Sequence, residues 1–298
     1  MTLLRSGDSA AREASDDSTE DGTGKGHPRR PRFPLALDRL KGPARPAASD
    51  LLRPQRPLQH AADHALRQQA SRPGAASGFG LDSAAVRARM VRRLRAQGID
   101  CEPVLQAFDS VERHRFVDTA LATQAYEDTS LPIGLSQTIS KPSVVARMLS
   151  LLFDGGHARA HGRLGRVLEI GTGCGYQAAL LALLSRSVVS IERLQPLHDK
   201  ARRNLDSVRT GDLRLLWGDG RLGHTPRAPY DAIIAAAGGH DLPQAWLDQL
   251  APEGRLVAPM HDATRGGQVL VVVDRTTRGL VRRQLDAVHF VPLKSGAE

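Results

Sequence analysis

Three glycines at alternate positions form the part of this sequence that can bind a ligand through the main chain. Gly171, Gly173 and Gly175 lie in VLEIGTGCGYQ, between an apolar run and a helical pattern. Glycine permits positive φ and lets a ligand approach the backbone closely. The G-x-G-x-G spacing differs from the G-x-G-x-x-G of dinucleotide-binding loops. The loop therefore predicts a ligand site of another kind.

The acidic residues around this loop favour a cationic nucleoside. Glu169 lies two residues before Gly171, where a carboxylate repels a pyrophosphate and can bind an ammonium group. Glu192 follows Gly171 by 21 residues, where an acid can accept hydrogen bonds from both ribose hydroxyls. Asp219 and Gly220 supply a carboxylate and a tight turn for the adenine end. Together they predict S-adenosylmethionine, a sulfonium nucleoside with an amino-acid tail, as the cofactor instead of NAD.

A second polar cluster lies upstream, in LPIGLSQTISKPS. Ser136, Gln137, Thr138 and Ser140 stand directly before the helical pattern SVVARMLSLL. A helix entry needs one capping residue, and Ser140, two residues before Pro142, can be that cap. The other hydroxyl and amide groups exceed what capping requires. On local grounds, capping and ligand contact both remain open for Ser140, and the two roles are compatible.

The elements that must position these residues follow from the hydrophobic pattern. Strand patterns in RVLEIG, SVVSIER, LRLLWGDG and YDAIIAAAG alternate with helical patterns. This alternation predicts an α/β fold with a doubly wound, mostly parallel sheet, whose ligand lies at the carboxyl ends of the strands. GRLVAPM and QVLVVVDRTTRGLVRRQLDAVHFVPL predict further strands, the last ones antiparallel through the TTRG turn.

An N-terminal helical addition is predicted ahead of the sheet. SAAVRARMVRRLRAQGI has a helical period, with Ser83 as the expected N-cap and Gly98 as the stop signal. EPVLQAFDSVERHRFV predicts a second helix, and SVVARMLSLLF, behind Pro142, predicts a third.

Composition limits the classes of partner. The 298 residues carry a net charge of +9, but the positive charge is spread along the chain. Aromatic residues make up only 4% of the sequence, which disfavours base-stacking platforms for nucleic acid. We therefore expect an Arg-rich soluble protein that does not bind nucleic acid.

Cysteine and targeting signals indicate the cytoplasm. Cys101 and Cys174 are the two cysteines, which fits a reducing compartment, and no Cys/His cluster has metal-ligand spacing. The first residues lack the apolar core of a secretory signal. The longest apolar run, AALLALL, is too short to span a membrane. We expect a cytoplasmic protein with no metal and no membrane contact.

The first part of the chain differs from the rest. GTGKGHPRRPRFPLALDRLKGPARPAASDLLRPQRP alternates Pro, Arg, Gly and Ala without a sustained hydrophobic period. Such a segment cannot bury enough apolar surface to offset the entropy lost on ordering. We expect residues 1–80 to form a disordered extension, with or without a function of its own, and residues 81–298 to form the folded domain.

Taken together, the motifs resemble the protein-L-isoaspartate(D-aspartate) O-methyltransferase family. The resemblance covers Val86 to Leu293 and rests on LPIGLSQTISKP, VLEIGTGCGYQ, SIERL, GDGR, YDAIIAAAG, LPQAWLDQLAPEGRLVAPM and AVHFVPL. The glycine loop is shared with many methyltransferases, whereas QTIS and FVPL are the specific part. The resemblance implies a Rossmann-like methyltransferase domain that methylates the α-carboxylate of L-isoaspartyl residues in damaged proteins and peptides, and we expect a monomer.

The resemblance also implies residue roles. Ser140 matches the residue regarded as the family's active-site serine. The residues expected to contact the cofactor are Gln137, Thr138, Glu169, Gly171, Thr172, Gly173, Gly175, Glu192, Asp219 and Gly220. The residues expected to contact the substrate are Ser136, Lys141 and Val291.

The chain departs from the family pattern at three places. Ser136 stands where bacterial relatives usually carry glycine, and its side chain can narrow the substrate cleft. Lys141 stands where a neutral residue is commoner; it can attract a carboxylate or simply be solvated. Gly238–Gly239 replaces the usual run of small residues and proline. These departures bear on substrate preference more than on the type of reaction.

Two alternatives remain open at this level. A methyltransferase of the same fold can act on RNA or a small molecule, but AAAGG stands where an NPPY-type motif would follow the fourth strand. A non-catalytic relative would use the Arg/Pro-rich extension to bind partners and would carry a broken cofactor loop. In this chain EIGTGCG is intact.

Overall fold

The computed structural model describes residues 84–206, 208, 211–264 and 266–298. The predicted extension, residues 1–80, and the predicted cap Ser83 lie outside the described residues.

Helices and short turns form the N-terminal addition. Helix α1 is Ala84–Ala96 and ends before Gly98, whose φ is +89°; helix α2 is Glu102–Ser110. The sequence predicted one helix through EPVLQAFDSVERHRFV, which is wrong in its second half. There, Val111 takes an extended conformation and Arg113–Phe116 forms a separate 3₁₀ turn. A second 3₁₀ turn spans Thr119–Gln124.

The polar stretch before the third helix folds as a hairpin. Strands β1 (Leu131–Gly134) and β2 (Gln137–Ile139) pair antiparallel. Helix α3 (Pro142–Phe153) and the short helix α4 (Gly156–His161) follow. The hairpin was not predicted, because the stretch lacks the strand alternation that usually signals one.

Seven strands form the central sheet of the described residues. They are β3 (Leu164–Ile170), β4 (Ser185–Glu192), β5 (Leu213–Trp217), β6 (Tyr230–Ala235), β7 (Leu250–Asp262), β8 (Gly267–Thr276) and β9 (Gly279–Val288). The strand order is β5-β4-β3-β6-β7-β8-β9. The first five of these pair in parallel, whereas β8 and β9 are antiparallel to their neighbours. The predicted fold class is confirmed.

Helices α5 (Tyr176–Leu184), α6 (Gln195–Leu205) and α7 (Gln244–Asp248) connect the parallel strands. Successive strand residues face opposite sides, so each side of the sheet has its own core. Val167 and Ile234 pack with the N-terminal helices, while Leu168 and Ile233 pack in the cluster that contains Trp246. No helix among the described residues is long and apolar enough to cross a membrane.

Candidate active site

A cleft opens at the carboxyl ends of β3, β4 and β6. Its empty space, open solvent at the mouth included, is about 900 Å³. Nine of the sequence-predicted site residues line it: Gln137, Thr138, Ser140, Gly171, Thr172, Gly173, Glu192, Gly220 and Val291. Five do not: Ser136, Lys141, Glu169, Gly175 and Asp219.

The glycine loop forms the floor of the cleft, directly after β3. Gly171, Gly173 and Gly175 all have positive φ, at 88°, 57° and 92°. A Cβ on Gly173 would lie 3.2 Å from Cδ1 of Ile133, across the cleft. Gly175 instead packs against helix α6, where a Cβ would lie 3.0 Å from Cδ1 of Leu205. Gly173 therefore keeps the cleft open, and Gly175 lets helices α5 and α6 approach each other.

Glu192 is a buried acid held in one orientation at the end of β4. Its Oε2 accepts a hydrogen bond from the N–H of Gly173 at 2.9 Å, and its Oε1 accepts one from the N–H of Leu194 at 3.0 Å. Each carboxylate oxygen can accept a further hydrogen bond. The arrangement can thus take two neighbouring ligand hydroxyls without reorganising.

Glu169 lies beneath the loop, fully buried. Its Oε2 accepts a hydrogen bond from the Ser190 hydroxyl at 2.5 Å, and that hydroxyl lies 2.6 Å from Oγ1 of Thr172. Among the described residues, Oε1 has no partner. Burial raises the pKa of Glu169 to about 8, although the hydrogen bond from Ser190 acts in the opposite direction. Glu169 therefore reaches the cleft only through Ser190 and Thr172.

Asp219 caps a turn beside the cleft. Its Oδ1 accepts a hydrogen bond from the N–H of Arg221 at 2.9 Å, and its Oδ2 accepts one from the N–H of Gly296 at 2.7 Å. The neighbouring Gly220 lines the cleft, and its carbonyl accepts a hydrogen bond from Nε1 of Trp246 at 2.8 Å. Asp219 thus shapes the turn that Gly220 presents to the cleft.

The β1–β2 hairpin forms the opposite wall. Its tip is Leu135–Ser136, and both residues adopt positive φ, at 52° and 56°. Positive φ strains a residue that has a Cβ, and strain of this kind is concentrated at functional sites. Ser136 and Lys141 are exposed and lie outside the cleft lining.

Ser140 does not cap the helix that follows it. Lys141 occupies the N-cap position of α3 without a side-chain capping bond, and the N–H of Ser143 donates to Oδ1 of Asp128 at 2.9 Å. The capping hypothesis for Ser140 is therefore wrong, because a residue from a distant turn does that work. The Ser140 hydroxyl has no hydrogen-bond partner among the described residues, and the residue lines the cleft.

A buried arginine supports Ser140 from behind. Arg113 is fully buried; its Nη2 donates to the carbonyl of Ser140 at 2.8 Å and its Nε to the carbonyl of Ala125 at 2.7 Å. The guanidinium lies 4.8 Å from the ring centroid of Tyr176, a cation–π contact. The sequence analysis missed Arg113, because no local pattern separates one buried arginine from the 41 Lys and Arg residues.

The chain's last segment closes the remaining side of the cleft. Val291, Pro292, Leu293 and Lys294 all line it. The carbonyl of Val291 accepts a hydrogen bond from the N–H of Gly238, and the N–H of Leu293 donates to the carbonyl of Gly238, both at 2.8 Å. Of these four lining residues, the sequence analysis named only Val291. Among the described residues, no group of three or more His, Cys, Asp or Glu side chains has the geometry of a metal site.

Comparison with known proteins decides the family. The family model described as protein-L-isoaspartate(D-aspartate) O-methyltransferase matches residues 85–298. The chain belongs to this family. A protein-L-isoaspartate O-methyltransferase of Methylibium petroleiphilum is 62% identical, covering 90% of this chain and 97% of the relative. One of Leptothrix cholodnii is 59% identical, covering 90% and 95%. The family predicted from the sequence is confirmed.

Solved structures agree with the family fold. A protein-L-isoaspartate O-methyltransferase with 25% identity superposes with a TM-score of 0.62 over 70% of this chain and 66% of that chain. A Plasmodium falciparum protein of the same type, solved with S-adenosyl-L-homocysteine, has 23% identity and a TM-score of 0.61, covering 70% of this chain and 99% of that one. The second likeness bears on the fold alone.

Proposed function

We propose that the cleft is where this chain transfers a methyl group from S-adenosylmethionine to the α-carboxylate of L-isoaspartyl residues in damaged proteins and peptides. Family membership shows the reaction and the cofactor. The observation that carries the site is the convergence of the glycine loop, the Ser140 wall and the Val291 segment on one cleft. The residue roles that follow are part of the proposal.

The residues of the cleft fit the cofactor. Glu192 presents a fixed carboxylate with acceptor capacity for ribose hydroxyls. Ile170 and Ile191 add apolar walls, and Gly173 leaves space that a Cβ would fill. Gly220 lies at the adenine side. Bound there, S-adenosylmethionine supplies an electrophilic sulfonium methyl group.

The chemistry requires positioning more than proton transfer. The substrate carboxylate is already ionised near neutral pH, so an in-line attack on the methyl group needs no general base. Two opposite charges are neutralised as the bond forms, which a cleft that excludes water favours. In the proposed arrangement the Ser140 hydroxyl donates a hydrogen bond to one carboxylate oxygen, and the other oxygen faces the methyl group.

The remaining predicted residues contribute less directly. Glu169 supports the loop through Ser190 and Thr172, and Asp219 shapes the turn at Gly220. Gln137 and Thr138 extend the Ser140 wall. Gly175 seats helix α5 against α6. Ser136 and Lys141 lie outside the cleft lining. From there they can contact parts of a peptide substrate that extend beyond the cleft.

The cofactor site can be tested at Glu192. Glu192→Gln places an N–H₂ group where a carboxylate oxygen now accepts hydrogen bonds. We expect the dissociation constant for S-adenosyl-L-homocysteine, measured by calorimetry, to rise roughly 10- to 100-fold. Glu127→Gln, at an exposed acid outside the cleft lining, is the matched control and should leave the constant unchanged. Equal affinities for both variants would place the ribose site elsewhere.

The domain organisation, partners and location complete the proposal. The methyltransferase domain lies within residues 81–298. The enzyme acts as a monomer on isoaspartyl proteins and peptides in the cytoplasm and does not bind nucleic acid. The low aromatic content and the two unpaired cysteines support this assignment.

A further inference from the structure

Gln268 contacts the closing segment, which we define as residues 290–294. Strand β9 ends at Val288, and the chain then leaves the sheet for the cleft. At that point Oε1 of Gln268 accepts a hydrogen bond from the N–H of Phe290 at 2.7 Å. Its Nε2 donates to the carbonyl of the same residue at 3.2 Å. One side-chain amide therefore pairs with both the N–H and the carbonyl of Phe290, in the way that a backbone peptide group of a neighbouring strand would.

The residues after Phe290 depend on this attachment. Val291 and Leu293 line the cleft, and each makes one backbone hydrogen bond with Gly238. Gly238 packs tightly on Gln268, since a Cβ there would lie 2.4 Å from Nε2. Gln268 and Gly238 thus hold the closing segment at two consecutive points. The absence of a Cβ at Gly238 leaves room for the Gln268 amide.

The sheet itself does not need the Gln268 side chain. The backbone of Gln268 pairs with His261 on one side and with Val288 on the other, as an ordinary ladder residue. Strands β8 and β9 remain paired as far as Thr276 and Gly279 at the distant turn. The pairing of the sheet therefore does not depend on the Gln268 side-chain amide, whose hydrogen bonds go to the closing segment.

We propose that Gln268 is a positioning residue for substrate binding, which holds Phe290 so that Val291 and Leu293 form a fixed wall for the isoaspartyl peptide. This inference rests on the proposed function. Fixing the wall in advance spares the peptide the entropic cost of ordering it. Loss of the amide therefore weakens peptide binding while the glycine loop and Glu192 keep their own contacts with the cofactor.

The test uses Gln268→Met, which keeps the side-chain length and removes both hydrogen bonds. Gln284→Met, at an exposed position of β9, is the matched control. We expect the KM for an isoaspartyl peptide to rise about tenfold in Gln268→Met, with less than a twofold change in the dissociation constant for S-adenosyl-L-homocysteine. A KM equal to that of Gln284→Met in an active enzyme overturns the proposal.

Hydrogen exchange gives a second readout that does not depend on activity. In Gln268→Met we expect faster amide exchange in residues 289–294 and unchanged exchange in residues 270–276 of β8. Unchanged amide exchange in residues 289–294 of Gln268→Met overturns the role of Gln268. A wild-type protein that transfers no methyl group counts against the proposed function instead, and the exchange result can still be interpreted in that case. If Gln268→Met does not fold, Gln268→Glu replaces it, because this variant loses only the N–H donor to the carbonyl of Phe290. A wild-type KM together with wild-type amide exchange in Gln268→Glu contradicts the proposal.

Discussion

Individual polar side chains in this enzyme act mostly through fixed partners. Glu192 is held by two backbone N–H groups, and Arg113 binds two carbonyls behind the cleft wall. Ser140 differs, because its hydroxyl has no partner among the described residues while the residue lines the cleft. A polar group without a partner beside an open cleft is available to a ligand. This contrast supports the proposed contact between the Ser140 hydroxyl and the substrate.

Ser140→Ala should therefore reduce turnover without affecting the fold. Losing one hydrogen bond to a charged carboxylate lowers kcat roughly 10- to 100-fold. The melting temperature and the dissociation constant for S-adenosyl-L-homocysteine should stay at wild-type values, because this hydroxyl caps no helix. Steady-state kinetics and calorimetry measure both. An unchanged kcat would remove Ser140 from the reaction.

Glu169 should make stability depend on pH. Burial raises the pKa of this carboxyl from 4.5 to about 8, so between these values the folded protein keeps a proton that the unfolded chain has lost. The free energy of unfolding then falls as pH rises, by at most about 1.4 kcal/mol per pH unit for one proton. Glu169→Gln should flatten this dependence in urea titrations of the cofactor-free protein from pH 5 to pH 8. The same slope in variant and wild type would contradict the raised pKa.

At the scale of elements, the hairpin and helix α3 are organised by contacts between distant residues. Asp128 supplies the hydrogen bond at the start of α3, from 15 residues before Ser143. The hairpin tip uses Leu135 and Ser136 at positive φ, although neither is a residue type that favours it. Neither feature was predicted, because sequence patterns report local preferences. The positive φ values of the glycine loop were predicted correctly, because glycine is the residue type that adopts them most readily.

Asp128→Ala should destabilise the start of α3. Partial burial acts to raise the pKa of Asp128, but hydrogen bonds from Ser143 and Gln97 outweigh it and hold the pKa below its ordinary value. Because this pKa is depressed, the ionised carboxylate stabilises the fold at pH values above the ordinary carboxyl pKa. This stabilisation is lost as the pH falls through the folded-state pKa. We expect a loss of about 1 kcal/mol at pH 7 in urea unfolding, shrinking at pH 3. A constant difference across this range would rule out an ionised cap.

At the scale of the whole molecule, the cleft is assembled from both ends of the folded region. The hairpin precedes the sheet, whereas the closing segment follows its last strand and returns to the ends of β3 and β6. Residues Gly296 to Glu298 continue past the cleft, where the backbone of Glu298 bonds with Arg193 and Gln195. The order of strands and helices was predictable from hydrophobic periodicity. The return of the C-terminus was not, because Gln268 and Gly238 contact it only in the folded chain.

The central claim is methyl transfer to isoaspartyl carboxylates in this cleft. The most direct measurement offers methyl-labelled S-adenosylmethionine with two peptides that differ only in an isoaspartyl or an aspartyl residue. Our account predicts base-labile label on the isoaspartyl peptide alone. Label on neither peptide, from a protein that still binds S-adenosyl-L-homocysteine, would contradict it.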